Sequence, residues 1–474
     1  MADAVTNKNK LIWGLGLLVL LYVAFVYGVP RPASLTPQAW SLTGLFLCTV
    51  VGSIIQPVPG GALVLLAITL TPLLTGMKLS DALSGYADTT VWLVQAAFFI
   101  SRALIDTGLA RRIALGFVKL FGKSTLGVSY ALSLSDMVLA TIIPSNGARS
   151  GGVILPIVRS IAELYGSKPG ETSRRMGAFL MVGVYQSICV TAAMFYTGQA
   201  SNPLAAQMAG TFGYRVTWAG WLVAGIVPGL CSLALVPWVV MKLYPPEVTR
   251  TPEASAFAHE ELVRMGPMSS QEKILLAVFI GVCGAWVSSS WTGIDITVAA
   301  LCGAISLLLT GVLQWSQVIG ERAAWDIFIW YGGLLRLGKA LNEQHVTETF
   351  AKSVGAHFAA LDWLPLMLVA LLIFYYSHYF FASITAHLLA MYAPFLALLA
   401  AKGAPLGFVV FSFACFANLS AGLTNYGTTP SPMFFAQGYV ALKDWWRVGF
   451  VVSLLHLTVW GTIGFGWWKL LGLW

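Results

Sequence analysis

The chain has 474 residues, 58% of them apolar and only 10% charged, with a mean hydropathy of +0.78 and a formal net charge of +8. That balance leaves too little polar surface for a soluble protein of this size and points to a polytopic membrane protein. The positive charge does not describe a nucleic-acid surface, because it is spread over connections and never gathers into a basic, aromatic-interleaved patch.

In chain order, sustained apolar runs recur at 11–29, 39–55, 61–76, 91–107, 176–198, 218–242, 273–291, 295–313, 325–342, 406–422 and 446–470. Several approach the roughly 20 residues that span a bilayer as helix, and no barrel-like alternation competes with them. The expectation is an all-α protein of about eleven spans. The first run follows Lys8 and Lys10, as a secretion signal would, but it is long and leads into Pro30, Arg31 and Pro32 instead of a small-residue cleavage site. It is therefore expected to stay as the first span, with residues 1–38 as an N-terminal helix and connection. Two further apolar pairs, 126–165 and 364–401, turn back on themselves as re-entrant hairpins. The six cysteines stand singly in apolar segments, without metal spacing. No metal and no cofactor is expected.

Charge in the connections predicts topology. Arg102, Arg111, Arg112, Lys119 and Lys123 face only Asp106, and Lys168, Arg174 and Arg175 follow the first hairpin. Both clusters are expected on the cytoplasmic side. The matching segment 336–357 mixes Arg336, Lys339 and Lys352 with Glu343 and Glu348, as on the opposite face. The connection 244–272, with Pro245 and Pro246, reads as the joint between a first repeat at 39–243 and a second at 273–474. An odd number of spans between the copies makes the repeat inverted, with the N-terminus inside and the C-terminus outside.

The repeat is visible in short polar patterns. PSNGARSGGVILP and ASITAHLLAMYAP place Ser145, Ala148, Arg149 and Pro156 in one register with Ser383, Ala386, His387 and Pro394, 238 residues later. Trp92 and Trp330 share that offset, and Asn202-Pro203 with Trp218 match Thr429-Pro430 with Trp445 at a second one. Pro144 stops a helix and Ser145 caps a new one, which aims backbone N–H groups and a positive dipole end at the tip. Asn146 adds an amide, Gly147 allows close approach, and Ser383 and Thr385 offer hydroxyls at the second tip.

Arg149 in the first turn of a helix opposes the dipole. It either pairs with Asp136 on the other leg of the hairpin or forks onto a substrate carboxylate. His387 is then a neutral donor or a second cation. TGQASNPLAAQMAG, with Thr197, Ser201, Asn202 and Pro203, and AGLTNYGTTPSPMFF, with Thr424, Asn425, Thr428, Thr429 and Pro430, read as broken helices lining a polar cavity.

With these motifs the chain resembles the divalent anion:sodium symporter family. The likeness is to its exchanger branch, which includes 2-oxoglutarate/malate translocators and citrate/succinate or tartrate/succinate antiporters. The resemblance rests on PSNGARSGGVILPIV, SNP at 201–203, SITAH at 383–387, LTNYGTTPSP and GYV at 438–440. It implies a homodimer with a scaffold and a mobile transport domain, and elevator-type movement of dicarboxylates or tricarboxylates across an inner membrane. The family's tip motif is typically Ser-Asn-Thr; here Gly147 and Ile384 each remove one expected polar contact.

Sodium-coupled relatives usually carry a small or hydroxyl residue where Arg149 and His387 stand. A permanent cation in an empty site opposes its return across the low-dielectric barrier, so sodium-independent, obligatory exchange is expected. A sodium- or proton-coupled symporter with Asp136 as proton carrier is the nearest alternative. A channel would need a continuous pore, and a hydrolase would need motifs such as H-E-x-x-H or G-x-S-x-G, which this sequence lacks.

Overall fold

The computed structural model describes residues 2–357 and 360–474, and all regular structure among them is helical, apart from one isolated β-bridge between Ser124 and Arg250. Nine of the described helices are long and apolar enough to cross a membrane, or ten if the bent pair Thr89–Asp106 and Leu109–Phe121, meeting at 63°, forms one span. The expected runs at 61–76 and 295–313 are shorter helices, Gly60–Thr75 and Ile296–Leu309. The legs of the second expected hairpin, Trp363–Phe380 and Ile384–Ala401, are themselves 18 residues each. Solvation by lipid is written on the outside, where Trp13, Trp291 and Leu309 lie more than three-quarters exposed. The centre holds Gly177–Met194, all of whose residues are buried, packed against Leu406–Leu419.

The same order of elements occurs twice. Helices Gly60–Thr75 and Thr89–Asp106 of the first half correspond to Ile296–Leu309 and Arg322–Glu343 of the second. They pack reciprocally, Gly60–Thr75 on Arg322–Glu343 and Ile296–Leu309 on Thr89–Asp106, as copies related by a two-fold axis would. Close helix contact in each half depends on a missing side chain. A Cβ at Gly225 in Trp218–Leu243 would meet the Met194 carbonyl oxygen at 2.7 Å, and one at Gly449 in Leu442–Val459 would meet that of Gly422 at 2.5 Å.

The joint between the halves is ordered and straps the base of the first hairpin. Glu247 and Val248 donate backbone N–H groups to the Arg174 and Arg175 carbonyls at 3.1 and 2.8 Å, and Thr125 donates to Thr249 at 3.1 Å. Helix Pro252–Arg264 then packs along Leu109–Phe121, with Arg111 on Glu261 at 2.8 Å, while Arg112 reaches Glu272 at 2.6 Å. Two of the cations that look unpaired in the sequence are thus matched by acids some 150 residues away.

Candidate functional site

Each half delivers a serine-capped helix start. In the first hairpin, Thr125–Ala140 ends, the chain turns through Pro144, and Ser145 adopts extended backbone (φ −133°, ψ 105°) with its Oγ accepting from the Ala148 N–H at 3.1 Å. The returning leg runs from Asn146 through a π-turn at Ser150–Ile154 to Leu164. In the second, Ser383 (φ −152°, ψ 130°) accepts from the Ala386 N–H at 3.4 Å and opens Ile384–Ala401. The repeat in the sequence is therefore a repeat of capping geometry.

Both tips open on one cavity of about 630 Å³, within the about 300–1,000 Å³ usual for small-ligand sites. Ser145, Asn146, Ser383, Thr385, Thr428 and Thr429 all line it, and Asn146 Nδ2 donates to Thr428 Oγ1 at 3.1 Å across the halves. Two helix starts therefore bring orphan N–H groups and positive dipole ends to a wall of hydroxyls and amides, an arrangement suited to an anion. A second cavity of about 450 Å³, lined by Phe25, Trp40, Phe46 and Leu335 among others, is mainly apolar and shares only Leu334 and Leu389 with the first. Gln207, Lys339 and Asn342 also line it, but neither serine-capped tip reaches it, so the first is the candidate site.

The other expected residues stand behind this wall. Gly147 backs onto Thr429: a Cβ there would come within 2.8 Å of Thr429 Cγ2, so any larger residue at this position requires Thr429 to shift. Arg149 is fully buried and does not line the cavity. Of the two readings left open for Arg149, the structure shows the pairing with Asp136 and not a fork into the cavity: Nε to Oδ1 at 2.9 Å and Nη2 to Oδ2 at 3.4 Å. Arg149 Nη1 donates to the Ile143 and Gly198 carbonyls, each at 2.7 Å, and Thr191 donates to Asp136. Four of the five guanidinium N–H groups are so consumed in tying leg, tip and broken helix together.

Asn202 likewise faces inward. Its Nδ2 donates to the Ala192 and Phe195 carbonyls at 2.7 and 2.8 Å, holding the break between Gly177–Met194 and Ser201–Gly210, while its Oδ1 accepts from Asn418 at 2.8 Å. Ser201, Pro203 and Pro430 are buried in the helix starts that follow each break and do not reach the cavity. His387 is buried between the Phe374 and Phe381 rings, centroids 4.2 and 4.9 Å away, and bonds to Ser377 and His378.

Sequence reasoning missed Ser53, Gln56, Asp326 and Trp330, which also line the cavity, and did not single out Gln199 and Tyr426 within the two broken-helix motifs. Gln56 had a signal, a lone amide between an apolar helix and Pro57, and it takes left-handed backbone (φ 52°) as that helix's cap. Among the described residues, Asp326 is the only charged one lining the cavity.

A polar cavity between two capped helix starts in a multi-pass helical body is the setting of a membrane transport protein, and the similarities of the chain bear that class out. The chain belongs to the divalent anion:sodium symporter family: the family profile described as the sodium:sulfate symporter transmembrane region matches residues 9–474. It is 43% identical over 471 residues to YflS of Bacillus subtilis (strain 168), provisionally named a malate transporter, covering 99% of this chain and 98% of that one. It is 40% identical over 463 residues to the chloroplast dicarboxylate transporter 1 of Spinacia oleracea, covering 96% and 81%. Inner membrane protein YbhI of Escherichia coli (strain K12) is 35% identical over 477 residues, covering 98% and 99%. The fold matches the Alcanivorax borkumensis YdaH transporter with a TM-score of 0.54 at 13% identity, over 92% of this chain and 98% of that one.

Proposed function

We propose that this protein carries dicarboxylates across an inner membrane by sodium-independent exchange, with the carboxylates held between the two hairpin tips. The observation that carries the reading is the shared cavity of Ser145, Asn146, Ser383, Thr385, Thr428 and Thr429. The names of the relatives, malate and dicarboxylate transporters, support the substrate class.

Arg149 supports sodium independence in a way the sequence did not suggest. In discontinuous transport helices, unwound backbone carbonyls are the usual ligands of coupled sodium. Here the Ile143 and Gly198 carbonyls already accept from the guanidinium, so a fixed cation occupies the acceptors a mobile one would need. Its charge is cancelled by Asp136, so the case for exchange rests on these filled carbonyls and not on an unpaired charge.

The hairpins and central helices form the moving unit, and helices 37–75 and 322–343, which carry Gln56 and Asp326, form the stationary wall. The protein is a homodimer with re-entrant hairpins, a cytoplasmic N-terminus and an extracytoplasmic C-terminus. The decisive experiment is counterflow in proteoliposomes. Labelled malate should enter only vesicles preloaded with a dicarboxylate. Robust uptake into anion-free vesicles under an imposed sodium gradient would replace exchange with symport.

A further inference from the structure

Behind the second tip, hydrogen bonding fixes the state of two buried imidazoles. His378 Nε2 lies 2.9 Å from the Gly427 carbonyl oxygen, which can only accept, so Nε2 carries a proton. In a neutral ring His378 Nδ1 is then bare. It lies 3.1 Å from His387 Nδ1, which must therefore supply the proton of that bond. His387 Nε2 is left as an acceptor 3.0 Å from Ser377 Oγ, and Ser377 Oγ is also 2.8 Å from the Phe374 carbonyl oxygen.

Ser377 gives this arrangement a second complete state. With the pair neutral, its hydroxyl donates to His387 Nε2. When a proton adds to that nitrogen, the new N–H donates to Ser377 Oγ, and the hydroxyl turns to the Phe374 carbonyl. The bonds from His378 to Gly427, between the two rings and from His387 to Ser377 each keep one donor and one acceptor in both states, and the Ser377–Phe374 bond is made only in the second, so the added charge leaves no orphaned imidazole nitrogen. A further proton would set N–H against N–H between the rings, so the capacity is one.

The electrostatics of the cavity give this capacity a use. Arg149 is cancelled by Asp136, and among the described residues Asp326 is the only charged one on the cavity wall, so a dianion meets no free fixed cation there. Segments 363–401 and 406–435 contain no Asp, Glu, Lys or Arg. Among titratable groups on the packed elements, Tyr375 donates to the Leu419 carbonyl and Tyr376 bonds to Ser453. Glu348 and Lys352, on the helix packed outside Ile384–Ala401, pair with each other at 2.7 Å. Besides Asp326 on the wall itself, the imidazoles are the bases next to the wall, through Gly427 beside Thr428 and through His387 one residue after Ala386. We propose that the His378–His387 pair binds one proton together with each carboxylate substrate that enters the cavity. This rests on the reading of the cavity as a carboxylate site.

The test is malate binding to the full-length protein in lipid nanodiscs, by calorimetry in buffers of different ionisation enthalpy between about pH 6 and 8. The wild type should take up about one proton per malate, with Kd rising up to about tenfold per pH unit. Uptake should fall away in His378→Gln and in Ser377→Ala, which removes the second-state acceptor but leaves the ring-to-ring bond. Malate binding without proton uptake overturns the proposal. So does undiminished uptake in Ser377→Ala, because the proton then travels on malate itself or on Asp326; that variant decides the matter even where His378→Gln does not fold. No malate binding at any pH would instead remove the carboxylate reading.

Discussion

In the first hairpin a buried arginine and a buried aspartate close an ion pair. At the equivalent positions of the second, 238 residues on, stand His387 and Phe374, an imidazole stacked on a ring. Both devices clamp a carbonyl of a broken helix: Arg149 holds that of Gly198 directly, and His387 holds that of Gly427 through His378. One half thus carries a permanent charge already balanced, and the other a neutral group able to gain charge. The two tips share a capping architecture and differ in their electrostatics, so a matching register does not imply a matching role.

The comparison breaks most easily at the ion pair. Arg149→Met leaves Asp136 as an uncompensated buried carboxylate, and the expected loss of stability is about 3–5 kcal/mol. The double variant Arg149→Met, Asp136→Leu should recover most of it, measured by thermal unfolding in detergent. It should not restore exchange, because the Ile143 and Gly198 carbonyls lose their donors. If the double variant unfolds as early as the single, the pair is not what makes Arg149 indispensable.

A smaller effect is expected where the first tip touches the second half's broken helix. Gly147→Ala places a methyl 2.8 Å from Thr429 Cγ2, an overlap expected to cost about 1–3 kcal/mol and to slow malate exchange. Thr429→Ser removes the obstructing methyl and should restore most of the rate. Equal exchange in Gly147→Ala and wild type would show that the contact relaxes freely. Next come the caps. Ser145→Ala and Ser383→Ala should each cost about 0.5–2 kcal/mol, the first more than the second, because Ser145 accepts at 3.1 Å and Ser383 at 3.4 Å. Reversal of that order, by the same unfolding assay, would mean the two starts are not capped alike.

The membrane class and both capped tips were legible because each depends on local chemistry: apolar length, proline stops and serine caps. The second member of each contact was less legible. Asp136 was visible as a partner for Arg149 because both lie on one hairpin, but no local pattern could choose between it and a substrate carboxylate. The choice lies in three-dimensional packing around Ile143, Gly198 and Thr191. Asn202 and Pro203 looked like cavity residues because polar groups in a broken helix need partners, and their partners proved to be the break's own carbonyls and Asn418. Gln56 and Asp326 come from helices distant in sequence from either tip, and no motif joins them to it. The topology signal was blurred for a related reason, since Glu261 and Glu272 reach back to Arg111 and Arg112.

The last asymmetry lies at the base of the first hairpin, where the Tyr165 hydroxyl donates to the exposed Glu253 carboxylate on the linker helix. That bond holds the Glu253 carboxyl below its ordinary range, with the backbone around it as a lesser cause. A depressed carboxyl contributes stability that is present above its unfolded pKa, about 4.3, and is lost as pH falls through the lower folded value. Tyr165→Phe should therefore lower the unfolding temperature slightly at pH 7, and the gap to wild type should close below about pH 4. A gap that persists in acid would assign the effect to the lost bond between Tyr165 and the Ala254 N–H, 3.1 Å long, instead of to the carboxylate. In that case Tyr165 fastens the strap through the neutral backbone contact and not through the Glu253 charge, and the contrast between the hairpins is confined to their buried tips.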